Sequence, residues 1–144
     1  MRVILQLNSR KCLRERVITY LHRIKHTTCL MNQKKFLMKP DIVIRHKETK
    51  KIFVMDTKWK VLADSKANYG ISQADMYQMY AYQNKYGSES VTLLYPLTEK
   101  VEQNKNIEFH ANDGTLIKIR FIDLFDLRNS LSSIISDIML GPTE

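Results

Sequence analysis

Glycine and proline are scarce in this chain, at four and three of 144 residues. No Pro/Gly/Ser linker divides the sequence, and it holds neither an internal repeat nor a low-complexity segment. The Gly-rich loop ending in lysine that cradles nucleotide phosphates is missing too, so a nucleotide is not bound by that route. Cysteine is almost absent: Cys12 and Cys29 stand seventeen positions apart with no CxxC. That fits neither a zinc site nor a disulfide framework and implies two reduced thiols. His22, His26, His46 and His110 share no ligand spacing. No apolar run is long enough to span a bilayer, and the four-residue apolar stretch after Arg2 is too short for a secretory signal. The expectation is a cytoplasmic protein without membrane contact.

Positive charge is plentiful, and it is uneven. Of the 23 Lys and Arg residues, sixteen fall in residues 1–60 against four Asp and Glu, a balance of +12; residues 61–144 hold seven against eleven, a balance of −4. A basic half of this size suits a polyanionic partner, because each phosphate neutralised releases counterions. A solvated, solubilising face would look the same from charge alone. The length suits one domain over 1–144 with one sizeable core.

Residues 10–26, "RKCLRERVITYLHRIKH", place Leu13, Val17, Leu21 and Ile24 at helical spacing among basic residues, which predicts a basic amphipathic helix. A short strand near 35–39 then precedes "DIVIRH", the polar turn "KETK" and a second β-branched run, "KIFVMDTKW". In that run Ile52, Val54, Asp56 and Lys58 share one face, and Phe53, Met55, Thr57 and Trp59 the other. Both faces begin apolar, so the strand is expected to be covered on both sides near its beginning; Trp59, on the face opposite Asp56, is read as core packing in preference to a base-stacking platform. Ser72 with Asp75 fits a capping box and Gly87 a helix stop, which sets a helix over 73–86; Tyr77 and Tyr80 are read as core packing. "SVTLLYPL" reads as a buried strand, and "IEFHANDGTLIKIRF" as a hairpin turning at "NDG". Leu124, Leu127, Leu131, Ile134, Ile135 and Ile138 form the stripe of a closing helix. The fold class is α/β, a mixed central sheet flanked by helices.

Acids at strand ends can build a metal site. Asp41 opens one strand, and Asp56 falls near the end of the next. With the hairpin turn near 48–50, residues 41 and 57 lie roughly opposite, which brings Asp41 and Asp56 close enough for one divalent cation to bridge. Two carboxylates completed by water and a phosphate oxygen suit Mg²⁺. Lys58 points to the same side, where an ammonium can offset charge developing on phosphorus. Taken singly, Asp41 is an ordinary acid after Pro40 and Asp56–Lys58 a local ion pair; together they point to a site.

"PD" at Pro40–Asp41, followed fifteen positions on by "DTK" at Asp56–Lys58, resembles the PD-(D/E)xK nuclease motif. "KPDIVI", "MDTKWK", "ISQADMYQMYAYQNKY" and "VTLLYP", in that order, resemble the nuclease domain of McrC, the cleaving subunit of the McrBC restriction systems that act on modified cytosine in DNA. The likeness runs from about residue 10 to residue 97. It implies a restriction-endonuclease-like core and Mg²⁺-dependent cleavage of DNA, with Mn²⁺ able to substitute. Asp41 and Asp56 would be metal ligands, the Thr57 carbonyl a further ligand, and Lys58 the catalytic lysine. Gln78 and Tyr82 match the Q-x-x-x-Y motif of the RecB-like branch, which orders the site and the DNA. Asp75, Gln78 and Tyr82 lie on one helical stripe, although Gln73 and Tyr77 repeat the same spacing one face away, and Asp75 is equally explained as a cap. Glu15 is the candidate for an extra metal ligand, with a salt bridge to Arg16 as the competing reading. The likeness also implies a McrB-like GTPase partner, whose coupling region, found ahead of the nuclease domain in McrC, has no room in this chain. Cutting both strands takes two active sites, which suits a homodimer. The competing functions are a non-cleaving remnant that binds DNA or a partner, and a nuclease of the same fold acting on RNA or branched DNA.

Overall fold

The computed structural model describes residues 27–28, 37–102 and 105–140. Two short strands, β1 (Thr27–Thr28) and β2 (Leu37–Met38), pair antiparallel as a separate ribbon. Then come β3 (Ile42–Arg45), β4 (Ile52–Thr57), α1 (Gln73–Tyr86), β5 (Ser90–Pro96), β6 (Ile107–His110), β7 (Leu116–Ile122) and α2 (Leu127–Leu140). The five longer strands form one sheet in the order β3-β4-β5-β7-β6. β4, β5 and β7 run parallel, while β3 and β6 close the two edges antiparallel, so the sheet is mixed. This is an α/β fold compatible with a restriction-endonuclease-like core.

Both faces of the sheet are covered, as the pattern of β4 requires. Val54, Val91 and Leu93 turn toward Met79 and Tyr82 of α1. Phe53, Met55, Leu94 and Ile122 turn the other way, against Leu131, Ile134 and Ile138 of α2. A strand buried on both faces reads as a continuous apolar run, and β5 has every residue from Ser90 to Tyr95 buried.

The ends of α1 follow from local chemistry. The Ser72 hydroxyl accepts from the Asp75 amide at 3.1 Å, and Gly87 closes the helix in the left-handed region at φ 56°. The β6–β7 hairpin turns at Gly114, φ 86°, whose amide donates to Ala111 O at 3.0 Å. Across the outer end of this hairpin, Arg120 is almost wholly buried. It is neutralised by Glu108 at 2.5 Å and Asp137 at 2.7 Å, which joins β6, β7 and α2.

Several expectations need correcting. The β3–β4 turn is one residue longer than a turn centred on 48–50, because His46 N–H donates to Lys51 O at 2.8 Å and Lys50 takes φ 60°. Ile42 therefore pairs with Met55, and the next step of that register sets residue 41 across from residue 56 rather than 57. Trp59, Tyr77 and Tyr80 are not core residues, at 86, 65 and 43% exposed. β4 ends at Thr57, before Trp59, and on α1 the residues buried inward are Met79 and Tyr82. Leu124 leaves the stripe of α2 because Asp123 Oδ1 accepts from the amides of Phe125 (2.8 Å) and Asp126 (3.4 Å), forming a turn before the helix starts. The strand near 35–39 is present as β2, but it pairs with β1 instead of joining the main sheet. The basic helix read over 10–26, with Cys12, Glu15 and Cys29, lies outside the described residues.

Leu93 is fully buried at the middle of β5. Replacing it with Ala is expected to cost about 2–5 kcal/mol in urea unfolding, whereas Leu124→Ala should change stability by less than about 0.5 kcal/mol.

Candidate functional site

The residues singled out from the sequence converge at the C-terminal end of β4. Val54 and Asp56 share the face that α1 covers, so the last side chain on that face is a carboxylate, and only 5% of Asp56 is exposed. The ladder continues one step past the strand, because Lys58 N–H donates to Leu94 O at 2.9 Å. This fixes the backbone from which the Lys58 side chain projects. Its Nζ meets three acceptors: Asp56 Oδ2 at 2.7 Å, Gln78 Oε1 at 2.7 Å and Asp75 Oδ1 at 3.5 Å. An ammonium has three donors, and each has a partner here.

α1 supplies the second half. Residues 75, 78 and 82 lie on one helical stripe, and the stripe faces the sheet. Gln78 accepts from Lys58 through Oε1 and donates through Nε2 to Tyr82 Oη at 2.8 Å. The amide is thus oriented by both neighbours. Asp75 does two jobs with two different atoms: its backbone N–H serves the Ser72 cap, which leaves its carboxylate for Lys58 and for the Tyr95 hydroxyl at 3.5 Å. Asp41 stands just before β3. Its Oδ2 accepts from both the amide (2.8 Å) and the hydroxyl (2.5 Å) of Thr57. One carboxylate oxygen is thereby held against the end of β4.

Electrostatics follow from crowding. Burial pushes the Asp56 carboxyl above its usual range. The Lys58 hydrogen bond and charge pull it down, Asp41 and Asp75 push it up again, and the net direction is up. Burial works against the charge on Lys58, but Asp56 and then Asp75 outweigh it, so the ammonium titrates above its ordinary value. Burial, followed by the Asp56 charge, raises the Tyr82 phenol to about 12. Burial and Asp75 raise Tyr95 further. Around neutral pH both phenols keep their protons and remain hydrogen-bond donors.

Three carboxylates share this pocket with one ammonium, which leaves an excess of negative charge that a cation would relieve. Carboxylate and main-chain oxygens are donors for a hard divalent ion. Among the described residues, no three His, Cys, Asp or Glu side chains are grouped so as to hold a metal by themselves. An ion here would rest on Asp41 and Asp56, completed by the main chain, water and a phosphate oxygen.

Comparison with protein families matches residues 5–96 to the McrBC 5-methylcytosine restriction system component. The chain belongs to this family. No curated protein matches it. Membership in the McrBC family agrees with the McrC-type likeness read from the sequence words, and it makes the chain one component of a restriction system that has others. The matched span therefore includes Asp41, Asp56, Lys58, Asp75, Gln78, Tyr82 and Tyr95.

Of the residues named from the sequence, Asp56, Lys58, Gln78 and Tyr82 form one hydrogen-bonded chain, and Asp41 is tied to Thr57 beside them. Between the two candidate Gln–Tyr pairs, only Gln78–Tyr82 faces the site. Gln73 donates to Tyr77 Oη at 2.6 Å on the exposed side of α1. The Thr57 amide and hydroxyl were not anticipated as the hold on Asp41. Tyr95 was missed because "VTLLYP" reads as a buried apolar strand; its one signal is a hydroxyl at the C-terminal end of a strand parallel to β4. Glu15 lies outside the described residues.

Because its folded pKa is raised, Asp56 favours the folded state most below its unfolded value of 3.8. That contribution is lost as pH rises from there through the higher folded value. In metal-free buffer, the stability of the wild type relative to Asp56→Asn should therefore fall as pH climbs through this window and level off above it. Urea unfolding at a series of pH values measures the gap; a gap that widens in favour of the wild type contradicts the direction.

Proposed function

We propose that this chain is the DNA-cleaving component of its restriction system, a Mg²⁺-dependent endonuclease of the PD-(D/E)xK type. The observation that carries this reading is the placement of the Lys58 ammonium, held at once by Asp56, Asp75 and Gln78 beside Asp41 at the end of β4. Asp41 and Asp56, with the Thr57 carbonyl, would hold Mg²⁺ or Mn²⁺, which supplies Lewis-acid polarisation of the scissile phosphate.

The chain's own residues supply the rest. Lys58 carries a fixed positive charge to the phosphate oxygens, where negative charge grows as water attacks in line. Gln78 sets where that charge sits: it is anchored by Tyr82, so the lysine is positioned before substrate arrives and does not reorganise during the reaction. Asp75 shares the ammonium with Asp56, so Lys58 stays charged and in place if Asp56 turns to a cation. The basic half of the chain supports a DNA partner through phosphate contacts, and these contacts predict binding that weakens steeply with salt. The likeness to McrC supports a McrB-like GTPase as the partner component, with recognition of modified cytosine left to that partner.

Plasmid nicking with Mg²⁺ or Mn²⁺ tests the assignment. Asp56→Asn and Lys58→Ala are each expected to lower the rate by at least about 100-fold. Gln78→Ala, which acts through the lysine, should lower it by about 10- to 100-fold. Cleavage that survives the first two changes overturns the proposal. Salt-sensitive DNA binding without cleavage under either metal, with or without the partner component, points instead to a non-cleaving binding subunit.

A further inference from the structure

Trp59 is the single tryptophan of the chain, and it is 86% exposed directly after Lys58. An indole left in water forgoes one of the largest burial gains any side chain offers. β4 has a covered apolar face on each side for its first four residues, so the fold had room for aromatic burial; this ring stands outside it. The Lys58 N–H bond to Leu94 O at 2.9 Å pins the peptide one residue before Trp59, so the ring projects from a fixed support about 3.8 Å along the chain. The neighbours set the chemistry of what it can meet. Lys58 precedes it and exposed Lys60 follows, and Val61, 45% exposed, extends the apolar surface. An exposed ring that precedes an exposed lysine, and follows one whose ammonium lies in the adjoining pocket, suits a ligand with a flat face and anionic groups. A nucleotide has both.

We infer that Trp59 is a stacking platform for an unpaired DNA base, holding the nucleotide next to the phosphodiester presented to Lys58. In intact duplex each base face is covered by its neighbours, so a free face is offered only by single-stranded, frayed or extruded nucleotides. The inference deepens the nuclease reading and rests on it: stacking at residue 59 would register the backbone against the ammonium one residue away. Trp59 would then be a positioning residue.

Because Trp59 is the only indole, its fluorescence reports on this position alone. Labelled-DNA anisotropy and intrinsic fluorescence are measured in parallel on the full chain in EDTA, so nothing is cut. The probes are a single-stranded oligonucleotide and the blunt duplex of the same sequence. The single strand is expected to quench the indole as it binds, and the perfect duplex to quench it less at equal occupancy. Trp59→Ala should weaken single-strand binding by about 5- to 100-fold, and Trp59→Phe, which keeps a ring, by much less. Anisotropy that rises while fluorescence stays unmoved overturns the inference, leaves DNA binding intact, and turns Trp59 into a candidate contact for the partner component. Equal quenching by duplex and single strand overturns the preference for unpaired bases. No anisotropy change with either DNA removes the DNA-binding reading and this inference together.

Discussion

The Lys58 ammonium is shared between two carboxylates and one amide, and the arrangement of the whole site follows from that sharing. Asp56 comes from the sheet, Asp75 and Gln78 from the helix that crosses back over it. A lysine this enclosed needs every one of its donors answered, since an unpaired charge in a half-buried pocket costs far more than an exposed one. Asp56 has the complementary difficulty. Burial raises its pKa, and Asp41 and Asp75 add to the rise; the lysine lowers it without winning. Neither residue is comfortable alone, and together they still leave excess negative charge.

The sheet explains why those groups meet. β4 and β5 run parallel, joined by α1, so their C-terminal ends lie side by side and the helix N-terminal half lies over them. Open α/β sheets commonly bind ligands outside the carboxyl ends of their strands. The register Asp56↔Leu93 and Thr57↔Leu94 brings Tyr95 of β5 to the level just beyond Asp56, where its hydroxyl can reach Asp75. The antiparallel β3 then delivers Asp41 from the other side. Four separate chain segments thus contribute to the pocket, each through a residue at or next to the end of a strand, or on the inward stripe of a helix.

Much of this was legible in the residues. Alternation in "IFVMDT" announced a strand covered on both faces, and Ser72, Asp75 and Gly87 marked α1 to the residue. Helical spacing placed Asp75, Gln78 and Tyr82 together. What could not be read was anything set by distance in the chain. The β3–β4 register depends on one left-handed residue, Lys50, which no local preference of lysine announces. The competing pair Gln73–Tyr77 has the same spacing as Gln78–Tyr82; only the packing of α1 separates them. Trp59, Tyr77 and Tyr80 look like core residues by type, and aromatic composition carries no information about which side of a helix or strand end meets solvent. Buried Arg120 escaped notice for the opposite reason. A charged residue in "IKIRF" looks solvated until Glu108 and Asp137 are seen to neutralise it.

Rigidity at the two ends of the sheet is different in kind. At the outer hairpin, buried Arg120 and Lys118 are matched by Glu108 and Asp137, with two carbonyls taking further Arg120 donors, a closed set of two cations and two acids. At the end of β4 the set stays open: acids outnumber the cation, one of them is buried above its ordinary pKa, and an indole beside it stands in water. Buried ionic groups that balance one another need no further explanation than the fold. Groups that are held firmly and yet left unbalanced favour a ligand of opposite charge, so the direction of the imbalance bears on the choice of ligand. Here it is negative within the pocket and positive along the chain that leads up to it. Under the proposed nuclease function, a divalent cation would answer the first and a phosphate backbone the second, and phosphodiester cleavage would bring the two together.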